Sequence, residues 1–227
     1  MRAVLLLALF WLLAGCAELP FPPGDLVPLG TTEPATVVEK YQRATPEKFS
    51  QLNSIVFEIA GQKFLGIGFL DIDRTDRTFR VICLNPMGVK LFDLSGDDHG
   101  TTLNFAIEPL TRFGDIATAV GNDIRRIYFG LAPRRNATPR VGSRRITFGG
   151  GVPDGYQEHV YAGRDGDLVE KRMYDDRSIS WSVGYFDYQE REGKRFPRGI
   201  VLTDYRGGYQ LTIREKEQPV EESQRAD

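Results

Sequence analysis

The sequence predicts a mainly β protein of the α+β class, an open, strongly curved antiparallel β half-barrel with helices covering its concave face. Segments in which apolar and polar residues alternate recur along most of the chain, separated by turn-forming residues. About eleven such strands are too many for one flat sheet, so we expect the sheet to bend. Helical periodicity is limited to two segments, which leaves the helices to cover the concave face.

The first half of the chain is predicted to begin with a helix and continue as strands. Val37, Val38 and Tyr41 recur at helical spacing, which predicts a helix over residues 35–43. From residue 48 to residue 108 the alternation is that of strands. The predicted strands include residues 63–72, 78–84 and 89–94, and the sets Ile55, Phe57, Ile59 and Leu103, Phe105, Ile107 each predict one apolar face.

A second helix and a second group of strands are predicted for the rest of the domain. Ile116, Val120, Ile124 and Ile127 form one apolar stripe within residues 113–130, which predicts a helix there. Strands are predicted at residues 145–149, 156–162, 167–174, 178–187, 199–204 and 208–215.

A basic segment connects the second helix to these strands. Its arginines are Arg134, Arg135, Arg140, Arg144 and Arg145. Two interpretations stay open: a solvated connection, or a contact with anionic lipid headgroups.

The N-terminus has the features of an export signal. Arg2 precedes an apolar run from Ala3 to Ala14, which is too short to span a bilayer. The run ends in Leu-Ala-Gly-Cys, which resembles the bacterial lipobox and makes Cys16 the expected lipid anchor; the alternative is an ordinary signal peptide with a chance cysteine. The predicted divisions are a lipoprotein signal peptide (1–15), a Pro- and Gly-rich tether (16–34), a folded domain (35–215) and a polar tail (216–227).

The composition and motifs exclude several classes of function. A formal net charge of -2 gives no basic field for nucleic acid, and two cysteines cannot form a disulfide framework, so Cys83 is interpreted as a small buried hydrophobe. His99 and His159 lack the spacing of metal ligands. No nucleophile elbow, P-loop or dinucleotide-binding glycine pattern occurs. The sequence therefore predicts no catalytic residue, no metal site and no cofactor.

Three segments carry a resemblance to a known family. They are VICLNPMGVKL at residues 81–91, NDIRRIYFGLAP at residues 122–133 and FPRGIVLTD at residues 196–204. In order and approximate spacing they resemble the LolB outer-membrane lipoprotein receptor and its wider LolA/LolB-like group. That resemblance implies an open antiparallel β-barrel with helices as a lid.

The resemblance also implies a site. In the family, the leucine of an Asn-Pro-Leu-Gly turn protrudes and helps to insert lipoproteins into the outer membrane. Here Met87 occupies that position, so Pro86, Met87 and Gly88 are the predicted membrane- or acyl-insertion loop. Ala17 follows Cys16, where an aspartate would retain a lipoprotein in the inner membrane, so outer-membrane sorting is implied.

The predicted function is non-enzymatic. We expect a lipid-anchored protein on the periplasmic face of the outer membrane that binds acyl chains of a lipoprotein or lipid in an apolar cavity and delivers it to the outer membrane. The expected partners are that cargo, the inner leaflet of the outer membrane and a periplasmic carrier, with no nucleic acid, and the expected state is a monomer. The candidate cavity-lining residues are Phe57, Ile59, Leu103, Phe105, Ile107, Trp181, Tyr185 and Leu211, each equally compatible with ordinary core.

The alternative prediction is a structural or interaction lipoprotein that binds an envelope protein without carrying lipid. An interior filled by side chains would contradict carriage of lipid in the cavity and leave this alternative.

Overall fold

The computed structural model describes residues 20–22, 27–29, 33–112 and 114–216. The predicted signal peptide, Cys16 and residues 217–227 lie outside the described residues. Within the described ranges the chain forms three helices and twelve strands. The helices are α1 (Pro34–Ala44), α2 (Glu108–Thr111) and α3 (Ile116–Tyr128). The strands are β1 (Lys48–Ile59), β2 (Gln62–Asp73), β3 (Thr78–Leu84), β4 (Lys90–Gly96), β5 (Thr101–Ala106), β6 (Thr138–Val141), β7 (Arg145–Val152), β8 (Gly155–Ala162), β9 (Asp167–Asp175), β10 (Ser178–Arg191), β11 (Lys194–Asp204) and β12 (Tyr209–Glu215).

All of these strands belong to one curved antiparallel sheet, which confirms the predicted fold class. Its order is β5-β4-β3-β2-β1-β12-β11-β10-β9-β8-β7-β6, so each half is a series of neighbours along the chain and the β1–β12 pair joins the halves. The chain leaves the sheet at edge strand β5 and re-enters at edge strand β6. Helices α2 and α3 make this connection, and α3 packs across one face of the sheet, which we call the inner face.

Strand β6 was not predicted, because it lies within the basic segment. It is four residues long, its side chains are exposed, and it includes Pro139 opposite Phe148. Proline is tolerated there because an edge strand has one side on which no N–H is needed. Short, charged, proline-containing edge strands lack the apolar alternation by which the longer strands were identified.

The hydrophobic core lies between the inner face and the helices. Leu70, Val81 and Leu94 are neighbours in register on β2, β3 and β4, and all three are buried. From the helices, Val37 and Tyr41 of α1 and Ile124, Ile127 and Tyr128 of α3 pack into the same core. The apolar stripes predicted for both helices therefore face the sheet.

The C-terminal end of α3 is bound to the sheet through its backbone carbonyls. Lys171 Nζ on β9 donates to the carbonyls of Arg126 at 2.7 Å and Phe129 at 2.8 Å. Tyr185 Oη on β10 donates to the carbonyl of Ile127 at 2.6 Å. These carbonyls belong to the last turn of the helix, where no intrahelical partner is available. The sheet supplies the missing donors.

The same pattern continues just beyond the helix. His159 Nε2 on β8 donates to the carbonyl of Gly130 at 2.9 Å, and Tyr161 Oη donates to the carbonyl of Leu131 at 2.9 Å. Gly130 has φ +56°, a left-handed conformation that a residue without Cβ adopts freely, and it turns the chain out of the helix. Four side chains of β8, β9 and β10 therefore hold residues 126–131 against the inner face.

We predict that Tyr185→Phe lowers the free energy of unfolding by about 1–3 kcal/mol, because it leaves the buried carbonyl of Ile127 without its donor. Urea unfolding followed by circular dichroism measures the change. The control is Tyr156→Phe, which removes the same oxygen from a ring that is 41% exposed and should change stability by less than about 0.5 kcal/mol. Equal effects of the two substitutions would show that the Tyr185 hydrogen bond does not stabilise the fold.

Candidate functional site

Several turns of the sheet lie at one end, which we call the rim. It comprises the β1–β2 turn at 60–61 with the strand residues beside it, 59 and 62–65, the β3–β4 turn at 85–89 and the β11–β12 turn at 205–208. The pairings Ile59 with Gln62 and Ile59 with Tyr209 place the first and third turns side by side. Since neighbouring strands alternate in direction, the β3–β4 turn is at this end as well.

The β3–β4 turn is rigid and presents Met87 to solvent. Asn85 Oδ1 accepts hydrogen bonds from the backbone N–H of Met87 at 3.0 Å and of Val89 at 2.9 Å, and the N–H of Gly88 donates to the Asn85 carbonyl at 2.9 Å. Gly88 has φ +84°, and Pro86 restricts its own φ. Met87 is 86% exposed. The turn therefore holds an unbranched apolar side chain away from the domain.

Other large apolar side chains are exposed around this turn. Together with Met87, the rim carries six of the eleven large apolar side chains that are exposed in the described residues. The other five are Ile59, Phe64, Leu65, Val89 and Tyr205, between 36% and 59% exposed. Phe64 pairs with inner-face Phe57, whereas Leu65 pairs with Val56 on the opposite, outer face. Apolar side chains clustered in this way are typical of a surface that contacts an apolar partner.

An open groove of about 340 Å³ runs between the β1–β2 and β11–β12 turns. We call it the rim groove. Its lining residues are Glu58, Ile59, Ala60, Gly61, Thr203, Asp204, Tyr205, Gly208, Tyr209 and Gln210. Its volume is at the lower end of the range of about 300–1,000 Å³ typical of small-molecule sites. It is a surface groove and does not enclose a ligand.

Beneath the rim the inner face is filled by side chains. A core cavity lined by Tyr41, Phe49, Tyr128 and Tyr185, among others, has a volume of about 30 Å³, roughly that of one water molecule. The sequence predicted an apolar hollow under the helices, but this core cavity is too small for an acyl chain. The physical reason is that α1 and α3 insert their large apolar side chains into that space.

Three of the predicted lining residues lie close together near the rim. Ile59 lines the rim groove. Phe57 and Leu211 are register partners on the inner face and are half-buried. The ring of Phe57 lies 5.2 Å from that of Tyr209 and 6.3 Å from that of Phe64. These side chains form an apolar area that continues from the groove onto the inner face.

Trp181 and Tyr185 lie deeper, beneath α3. Both are buried, and both face the helix: the Arg126 guanidinium lies 5.4 Å from the Trp181 ring, and Tyr185 binds the Ile127 carbonyl. Their position is that of core residues that hold the helix. A ligand could reach them only if α3 moved away from the sheet.

The three candidates around β5 do not share one face, which corrects the prediction for Phe105. Leu103 pairs with inner-face Leu94, but a register shift between Asp93 and Leu94 follows, and Phe105 pairs with Asp93 on the outer face. The Lys90 ammonium lies 5.6 Å from the Phe105 ring there. A β-bulge adds one residue to a strand and so reverses the alternation beyond it. Ile107, just after the strand, is half-buried.

A buried ionic cluster links α3 to the rim. Arg126 Nη1 lies 2.7 Å from Asp204 Oδ2 and 3.3 Å from Asp123 Oδ1, and Tyr209 Oη donates to Asp123 Oδ1 at 2.8 Å. Burial raises the pKa of Asp123 to about 6, although Tyr209 and Arg126 both favour its ionised form. The cluster lies immediately below the rim groove because Asp204 and Tyr209 also line the groove.

The two histidines do not form a reactive site. His99 lies in the exposed β4–β5 turn, at the opposite end of the sheet from the rim, whereas His159 is buried against Gly130. In the described residues no three His, Cys, Asp or Glu side chains are grouped as they would be to hold a metal ion. None of the helices in the described part of the chain has the length and apolar character needed to cross a membrane.

The sequence analysis missed four rim residues, namely Phe64, Leu65, Val89 and Tyr205. Phe64 and Leu65 are consecutive in a predicted strand, and consecutive residues of a strand face opposite sides. One of the two must therefore lie on the outer face, so the sequence itself indicated a large apolar side chain outside the core. Tyr205 follows a strand and carried no such signal.

Comparisons with solved structures agree with this architecture. A LolA superfamily protein from Nitrosomonas europaea matches with a TM-score of 0.54 and 11% sequence identity, over 82% of this chain and 93% of that chain. A domain described as an outer membrane lipoprotein-sorting protein from Vibrio parahaemolyticus matches with a TM-score of 0.54 and 8% identity, over 80% of this chain and 89% of that chain. No protein-family model and no curated protein matches the sequence. At these identities the likeness shows the fold, which is LolA-like.

We predict that His159→Gln removes one specific loss of stability, which protonation of His159 causes as the pH falls below 6.5. Burial, with a smaller effect of Lys171, lowers the pKa of His159 from 6.5 to about 4. The folded state then resists protonation of His159 between pH 6.5 and 4, so this group alone lowers the free energy of unfolding by up to about 3 kcal/mol as the pH falls through that range. Glutamine can donate to the Gly130 carbonyl but does not titrate there.

Urea unfolding at pH 7.5 and pH 4.5 gives the free energy of unfolding of both proteins. The effect is measured as the wild-type free energy minus that of the variant at each pH. Because Asp123 titrates in the same range in both proteins, its contribution cancels. A difference that stays constant between the two pH values would contradict the assignment of His159 as a buried neutral donor.

Proposed function

We propose that the protein is a non-enzymatic, lipid-anchored protein of the bacterial envelope that binds acyl chains of a lipoprotein or lipid and delivers it to the outer membrane. The observation that carries this proposal is the rim, where Met87 and five other large apolar side chains are exposed at one end of the sheet. An acyl chain or a bilayer is the kind of partner that such a surface fits, because burying apolar area is favourable and needs no directional contact.

The anchor in this proposal is Cys16. Acylation there would attach the domain to the periplasmic face of the outer membrane, in line with the lipobox-like sequence and with Ala17 after the cysteine. A LolB-like receptor role is the specific form of the proposal. The printed description of the Vibrio parahaemolyticus neighbour, lipoprotein sorting, is consistent with it.

The acyl chain is proposed to bind at the rim groove and on the adjoining inner-face area of Phe57, Phe64 and Leu211. This position differs from the enclosed cavity expected from the sequence, because the space under α3 is filled. Cargo at the rim groove lies at the same end of the sheet as Met87, so a chain that leaves the groove leaves it at the end where this turn is exposed. Transfer then needs no nucleotide, since each methylene buried in lipid contributes about 0.8 kcal/mol.

The filled interior is also the observation that favours a second candidate function. A structural or interaction lipoprotein needs an exposed apolar surface but no cargo cavity, and the rim serves equally well as a protein-binding surface. In this case a periplasmic carrier or another envelope protein would contact the rim, and no lipid would travel with the protein.

Native mass spectrometry of the full-length protein, purified in detergent from a bacterial envelope, separates the two functions. Acyl binding predicts a lipid or an acylated peptide bound in addition to the covalent anchor on Cys16. A bare protein that retains a protein partner instead would support the alternative and contradict carriage.

We predict that Met87→Glu slows delivery of a fluorescent diacylated lipopeptide from the full-length protein to phospholipid vesicles by about tenfold or more. A carboxylate at the tip of the turn must be desolvated to enter the acyl region, which costs more than about 1.4 kcal/mol. Met87→Leu should leave the rate unchanged, because leucine is apolar and similar in volume.

The matched control is Val141→Glu, which places the same charge on edge strand β6, where Val141 is 64% exposed. If Met87→Glu and Val141→Glu slow delivery equally, insertion of the β3–β4 turn is not part of the mechanism.

A further inference from the structure

Residues 20–22, which precede α1 in the chain, include a side chain packed against the outer face of the sheet. Phe21 is only 2% exposed, and its ring stacks on that of Phe186 with centroids 5.4 Å apart and an interplanar angle of 20°. The sequence analysis predicted an extended tether over residues 16–34. Within that stretch, Phe21 is as buried as a core residue.

The outer face is shaped to receive this ring. Phe186, Gly199 and Arg214 are register neighbours on β10, β11 and β12, and we call this trio the Phe21 slot. A Cβ built on Gly199 would lie 2.5 Å from the Phe21 ring, so glycine makes the floor of the slot. The Arg214 guanidinium lies 4.4 Å from the ring centroid, and its Nη2 donates to the carbonyl of Pro20 at 3.1 Å.

The slot limits how far Cys16 lies from the domain. Phe21 is five residue steps from Cys16, and five steps of extended chain span at most about 18 Å. The next described residue that packs on the domain is Leu29, against the core. Thirteen residues separate it from Cys16 and span up to about 45 Å. Docking of Phe21 therefore shortens the maximum tether by more than half, whatever the conformation of the intervening residues.

This short tether is matched to the position of the rim. Gly199 lies in β11, and the β11–β12 turn begins six residues later, a distance of about 20 Å along the strand. Held within about 18 Å of Phe21, a lipidated Cys16 comes at most almost level with the rim and cannot extend beyond it. The anchor and the rim can thus contact the same bilayer.

We propose that the Phe21 slot is a binding site for the anchor-proximal segment of the chain itself, and that its occupation holds the rim at the membrane surface. The inference rests on the proposed function, because it takes Cys16 as the lipidated residue. It goes beyond that function by assigning a role to the outer face and to residues 20–22.

The first test is a double-mutant cycle on the full-length protein in detergent. Gly199→Ala adds the Cβ that collides with the Phe21 ring, so we expect it to lower the melting temperature of the wild type by several degrees. In a Phe21→Ala background the collision is absent, and Gly199→Ala should be neutral or slightly stabilising, because alanine is less flexible than glycine in a strand. If Gly199→Ala changes the melting temperature equally in both backgrounds, the Phe21 ring does not pack on Gly199 and the proposal is wrong.

The second test measures the distance from the bilayer. A donor dye on Gln62→Cys, next to the β1–β2 turn, reports energy transfer to acceptor-labelled lipid in phosphatidylethanolamine and phosphatidylglycerol vesicles that carry the full-length protein. Cys83 is buried, and burial raises the pKa of its thiol to about 11, so labelling is selective for the new cysteine. We expect efficient transfer in the wild type and at least twofold lower efficiency in Phe21→Ala and Gly199→Ala.

The matched control is Val141→Ala, which truncates an exposed apolar side chain on β6. We expect this variant to show the same energy-transfer efficiency as the wild type. Unchanged transfer in both slot variants would overturn the tether role even if the cycle supports the slot. Failure of every variant, wild type included, to attach to vesicles would instead contradict lipidation of Cys16 and so the proposed function, while the cycle would still decide whether Phe21 occupies its slot.

Discussion

The structure depends on the hydrogen bonds that the sheet donates to the backbone carbonyls at the C-terminal end of α3. A helix leaves its last carbonyls without partners, and here they are buried under a sheet, where an unpaired carbonyl is costly. Lys171, Tyr185, His159 and Tyr161 supply the donors. Lys171 is 1% exposed, and burial lowers its pKa to about 7, so the sheet accepts an unfavourable buried amine in order to hold the helix. The position of α3 is thereby fixed by hydrogen bonds as well as by apolar packing.

A helix fixed in this way decides where a ligand can bind. The space that a curved sheet would otherwise leave open is occupied by α3 and its apolar stripe, and the ionic cluster of Arg126, Asp123 and Asp204 closes it below the rim. What remains accessible is the end of the sheet. The same constraint that stabilises the core therefore moves the candidate site from the interior to the rim.

Much of the fold could be predicted from alternation alone, since most strands, both longer helices and the covered face follow from which residues are apolar. The Met87 turn was also found, because Asn-Pro-Met-Gly is a local signal. What failed depends on non-local geometry: the bulge that turns Phe105 outward and the filling of the interior around Trp181 and Tyr185. Phe21 could not have been placed, because its partners are more than 160 residues away in sequence and a Pro-rich segment carries no periodicity.

The Phe21 slot has a consequence for how cargo would arrive. A domain whose anchor is held within about 18 Å of its outer face cannot extend across the space between two membranes to collect an acylated molecule. In the proposed function it would act only at the last step of transport, after a diffusible protein has brought the cargo to the rim. Burial of the Phe21 ring would in this way restrict this protein to insertion of the cargo, while another protein transports it.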